Sequence, residues 1–160
     1  MKPLFIFLLL FCCSNLYSQD SLKIKQIDSL VTTIAYSNLP SRLDSTSQDY
    51  PTLGLSMKTY ITMLIDDKEL KKYVYRVNTV RQENGISKQL ITGSAFYYDR
   101  NKLIKVEEFG IQDGKEQHFT WYFFDDQCFY HTLKSEKAES RIPLLLTISN
   151  GILRQNIKQN

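Results

Sequence analysis

Between Met57 and Leu133, runs rich in β-branched and aromatic residues are cut at short intervals by turn signals. Asn84-Gly85 and Asp113-Gly114 are the sharpest of these, because both central positions of a two-residue hairpin turn require positive φ. DDKE (66–69), DRNK (99–102) and DDQC (125–128) each begin with Asp, whose carboxylate can bond the turn backbone. Strands joined by so few residues can only be antiparallel neighbours. The punctuation therefore predicts an antiparallel meander of six strands. Its first run, MKTYITMLI (57–65), also fits a helical stripe through Met57, Tyr60, Ile61, Leu64 and Ile65.

Both flanks read as helical. Leu22, Ile24, Ile27, Leu30, Val31 and Ile34 recur at mostly three- and four-residue steps over 20–38, with Pro40 beyond the end. The closing stretch, 136–158, places Ile142, Leu145, Leu146, Ser149, Leu153 and Ile157 on a comparable stripe. Pro143 must sit in its first turn or kink it, and Asn150-Gly151 weakens its middle. Residues 39–54, rich in Ser, Thr, Asp and Pro, read as a linker. The expected fold class is α+β: an N-terminal helix, the six-stranded meander, and a C-terminal helix packed on the sheet.

Turn centres set register, and register decides which side chains share a face. Turns centred on Asn84-Gly85, Arg100-Asn101, Asp113-Gly114 and Asp126-Gln127 predict a core row Val74–Ala95–Val106–Trp121–Thr132, with Tyr97–Ile104–Phe123–Tyr130 beside it. The opposite face then reads Tyr73–Phe96–Lys105–Tyr122–His131, flanked by Tyr75–Ser94–Glu107–Thr120–Leu133. Neighbouring aromatics such as those of FYY (96–98) alternate between faces, so most of them are packing.

That second face supplies the candidate binding residues Tyr73, Phe96, Lys105, Glu107, Tyr122 and His131. The leading expectation is a non-enzymatic binding or interaction domain using one face or an edge of the sheet, with a protein or a small apolar or anionic ligand as partner. The alternative is a small hydrolase or isomerase in which His131 and Glu107 share a proton. Two histidines thirteen residues apart and a lone Cys128 form no recognised zinc spacing, so no metal or cofactor is expected. Asp66-Asp67 and Asp125-Asp126 fall in turns, where Asp is ordinary. No G-x-S-x-G, H-E-x-x-H or phosphate-binding glycine loop occurs, and no catalytic residue is assigned.

MKPLFIFLLLFCC followed by polar SNLYSQD has the layout of a secretory signal peptide over residues 1–18, with a cut before Gln19. The expected location is periplasmic or secreted, with a single domain over 19–160. Leu10 three residues before Cys13 leaves a lipid anchor at Cys13 as the alternative, which would make the protein a helper of an envelope assembly. Loss of Lys2 lowers the net charge from +3 to +2, and no clustered basic face suits a nucleic acid. No other apolar run approaches the length of a membrane-spanning helix.

FYYDRNKLIKVEEF (96–109) and TWYFFDD (120–126) resemble the aromatic β-hairpin repeats of MORN-like proteins. With the leader ending near SQ, the first helix, ENGISKQ (83–89) and the closing helix, the chain also resembles short exported proteins of Bacteroidota that have no assigned activity. The resemblance implies an exported domain and carries no catalytic residues.

Overall fold

The computed structural model describes the backbone of residues 3–112 and 114–157, and the side chains of 19–112 and 114–156. The chain forms two compact units, Met1–Tyr36 and Ser37–Asn160. The first contains one helix, α1 (Pro3–Tyr36). In it the Thr32 and Thr33 hydroxyls donate back to the carbonyls of Asp28 and Ser29, at 2.7 and 3.0 Å. Cys13 and its lipid-anchor reading lie outside the described side chains. Among the described residues no helix is long and apolar enough to cross a membrane.

The second unit is one antiparallel sheet in simple sequence order: β1 (Ser41–Tyr50), β2 (Leu55–Asp66), β3 (Glu69–Glu83), β4 (Ile86–Asp99), β5 (Lys102–Gln112), β6 (Lys115–Phe124) and β7 (Gln127–His131). α2 (Lys137–Ile157) follows. The expected α+β order holds, with one strand more than expected, because the stretch read as a linker carries β1 and a 3-10 turn, Pro51–Leu53. Every residue of β1 is exposed, so its polar sequence gives no alternation to read. The 57–65 run is strand, within β2.

Most turns are the ones that the sequence marks, but the last is centred on Asp125-Asp126, one residue before the expected Asp126-Gln127. Asp67-Lys68, Asn84-Gly85, Arg100-Asn101 and Asp125-Asp126 all sit at positive φ, between 43° and 78°, the geometry whose twist matches that of the flanking strands. Gly114 is at φ 73°, and Asp113 lies outside the described residues. The register, however, departs from simple pairing at three hairpins. It shifts between Leu64 and Ile65, between Tyr97 and Tyr98, and between Tyr122 and Phe123. Lys71, Ile104 and Phe129 are the unpaired residues, each the third after the turn's second central residue. A β-bulge of this kind exchanges the faces of everything beyond it.

The expected rows are corrected accordingly. Pairing of β3 with β4 and of β5 with β6 is as expected: Val74 meets Ala95, and Val106 meets Trp121. Past the Ile104 bulge, though, Val106 pairs with Phe96 rather than Ala95, and in the last hairpin the earlier turn and the Phe129 bulge together pair Trp121 with His131 rather than Thr132. The core row is Met63–Tyr73–Phe96–Val106–Trp121–His131. The bulges are required by burial. Leu103 and Val106, three residues apart, must both enter the core beside Tyr98 and Phe96, and an uninterrupted strand would send one of them outward.

α2 covers this row. Ala138, Leu145, Ser149 and Ile152 are buried at steps of seven, four and three, and their apolar members join the sheet's core. Full burial of Leu145 alone contributes about 2–3 kcal/mol. Ser135 starts the helix, its hydroxyl accepting from the Lys137 N–H at 3.2 Å. Pro143 lies in the second turn, not the first, and the helix continues past it with Thr147 Oγ1 donating to the Pro143 carbonyl at 2.9 Å.

Candidate functional site

The register separates the candidate residues. Tyr73, Phe96 and His131 lie in the row that α2 covers, while Lys105, Glu107 and Tyr122 lie on the other side. The single face expected to carry all six is therefore not formed. His131 and Glu107, the acid–base pair of the alternative reading, point to opposite sides of the sheet.

On the side away from α2, Lys105 Nζ stands 2.8 Å from Glu107 Oε1 and 5.2 Å from the Tyr122 ring centroid. Glu107 Oε2 accepts the Tyr97 hydroxyl at 2.9 Å, and Lys72 Nζ lies 4.9 Å from the Tyr97 ring centroid. Burial, and next the neighbouring Glu107 carboxylate, raise the Tyr97 pKa well above its ordinary value. Lys105, Tyr97 and Tyr122 are all buried. Each charge here has a partner, so the cluster works as an internally compensated network and offers little to an incoming ligand.

On the α2 side, the polar centre is a carboxylate that sequence reasoning missed. Glu108 Oε2 accepts the Trp121 Nε1–H at 2.9 Å. Arg141 Nε donates to Glu108 Oε1 and Oε2 at 3.0 and 3.3 Å, and Arg141 Nη2 makes a further, very short contact with Oε1. This fork fastens the first turns of α2 to β5 and holds the indole of β6 from behind. Glu108 raises the Arg141 pKa. The sequence does contain a signal. Arg141 falls within the apolar stripe of the last helix, between Ala138 and Leu145, and a cation in that place calls for a buried acid. Glu108 answers it only once the bulge has turned it toward the core.

Two polar atoms here are buried with no hydrogen-bond partner among the described residues, Tyr98 OH and His131 Nδ1. Burial raises the Tyr98 pKa, and the nearby Ser149 hydroxyl partly opposes the rise without reaching bonding geometry. The His131 ring lies 5.2 Å from that of Trp121. Burial likewise pushes the Cys128 thiol up, which suits a packed sulfur better than a nucleophile.

Beyond the Glu108–Arg141 fork, past the N-terminal end of α2, the same face of the sheet opens into a cavity of about 500 Å³. Tyr75, Ser94, Phe119 and Leu133 form its walls, and Lys137 and Arg141 reach it from the helix. Ser94 Oγ donates to the Tyr75 hydroxyl at 3.2 Å. A second hollow of about 400 Å³ continues it, sharing Thr92, Gly110 and Gln117. Two glycines shape this region differently. A Cβ on Gly93 would lie 2.4 Å from the Phe109 ring and 2.5 Å from the Tyr75 carbonyl oxygen, whereas a Cβ on Gly110 would meet nothing nearer than 3.9 Å. Compared with family models, with curated proteins and with solved structures, the chain matches none.

Proposed function

We propose that this chain is an exported, non-enzymatic binding domain that seats its ligand in the cavity between the first turns of α2 and the open half of the sheet. The observation that carries the reading is the cavity itself. At about 500 Å³, walled by Tyr75, Phe119 and Leu133 with a few convergent polar groups, it has the size and lining of a small-ligand site. The one carboxylate of its lining, the half-buried Glu108, is committed to holding Arg141 and Trp121 in place, a positioning role. Export rests on the apolar segment at the start of the chain. Intact mass of the mature protein separates a cut before Gln19 from an acylated Cys13.

Native mass spectrometry of the protein purified from its source tests the seat. The wild type is expected to carry a small molecule that Gly110→Leu lacks. The new side chain enters the hollow without backbone conflict, so the circular dichroism of this variant should be unchanged. A variant that retains the same molecule would refute the seat. A wild type that releases only a protein partner would shift the reading to an interaction through the sheet edge at β1, whose ten residues are all exposed.

A further inference from the structure

We infer that the cavity takes an amphipathic anion: an apolar body seated against Tyr75, Phe119 and Leu133, ending in a carboxylate or phosphate held between Lys137 and the outer edge of Arg141. This rests on the binding reading above and specifies the ligand's chemistry. Lys137 and Arg141 stand four residues apart on α2, so both leave the same face of the helix, and both line the cavity. Against these two cations the lining supplies one carboxylate, Glu108. Arg141 spends Nε and Nη2 on Glu108, which leaves Nη1 with no acceptor among the described residues. Lys137 makes no ion pair among the described residues either, so one positive charge stands unmatched beside an apolar wall.

That arrangement discriminates. An anion gains from the unmatched charge, a neutral amphiphile gains only from the wall, and a cation is repelled. The adjoining hollow brings a third cation, Lys115, along the same face and leaves room for a longer body.

Trp121 is the only tryptophan, and its indole donates to the carboxylate that lines the cavity, so its fluorescence reports occupancy. The full chain is titrated, below micelle-forming concentrations, with decanoate, monodecyl phosphate, decan-1-ol and decyltrimethylammonium. At least one anion is expected to bind saturably, with decan-1-ol about tenfold weaker or more and the cation weaker still. Whichever anion binds tighter identifies the head group. Lys137→Glu should weaken that anion about tenfold and leave decan-1-ol unchanged, and Gly110→Leu should block every probe. Equal binding of decan-1-ol and the anions, or an affinity indifferent to Lys137→Glu, overturns the anion assignment. If Gly110→Leu still blocks decan-1-ol, the seat stands and only the class is wrong. Probes that bind equally well to Gly110→Leu remove the seat as well. If no probe binds while the naturally retained molecule disappears from Gly110→Leu, the class again fails and the seat survives.

Discussion

Tyr97 and Tyr98 are neighbours buried on opposite sides of one strand, and burial raises the pKa of both phenols above the ordinary 10. A raised pKa means that the folded chain keeps a proton which the unfolded chain gives up, so their contribution is intact below about pH 10 and falls as pH rises above it. The slope for each phenol approaches its limit of about 1.4 kcal/mol per pH unit only once the unfolded phenol is ionised while the folded one still holds its proton. Urea titrations between pH 8 and 11 should show that loss, with a shallower decline in Tyr98→Phe. At neutral pH the same variant should be as stable as the wild type or slightly more so, since the hydroxyl it removes has no hydrogen-bond partner among the described residues. Glu108 behaves in the opposite way. Glu108→Ala strands the Trp121 N–H and takes the counter-charge from Arg141, and should cost about 2–4 kcal/mol in chemical denaturation.

At the level of the strands, Gly93 leaves no room for a side chain between the Phe109 ring of β5 and the Tyr75 carbonyl of β3. Gly93→Ala should destabilise by about 2 kcal/mol or more, read as a drop in the thermal midpoint, because the new methyl meets both the Phe109 ring and the Tyr75 carbonyl. Adding Phe109→Ala should relieve only the ring's share. The turns were legible in the sequence, the last only to within one residue, because tight hairpins demand positive φ and the chain advertises it with Asn-Gly and Asp-led motifs. β1 was not legible, since a fully exposed edge strand has no buried face to set a period. Its edge is blunted locally, the Ser45 N–H being taken by the Asp44 carboxylate at 2.8 Å. The faces were lost for a sharper reason. DDKELKKY (66–73), DRNKLIKV (99–106) and FDDQCFYH (124–131) each place core-side residues three apart in the outgoing strand: Leu70 and Tyr73, Leu103 and Val106, Cys128 and His131. A three-residue step inside a strand is the mark of a bulge. Read as an unbroken alternation, it turned Phe96 and His131 to the wrong side, and with them the candidate site.

For the molecule as a whole, one end of the sheet is packed and the other is open. Gly93 through Tyr98 are buried without interruption, while Ile86 through Leu90 on the same strand are exposed. Substitutions at the open end should therefore separate binding from folding. Gly110→Leu is expected to change ligand retention with a stability change within about 0.5–1 kcal/mol, measured by urea titration. Lys102 of the β4–β5 turn also pairs with Asp125 of the β6–β7 turn, so successive hairpins are linked at their tips. Since all three bulged hairpins enter and leave the sheet in the same phase, each is a self-contained cassette. An additional copy spliced in between two existing ones would broaden the platform while every original side chain kept its orientation toward the helix. Such a chain offers an extensible scaffold, whose width can be changed by copy number without redesigning its interior.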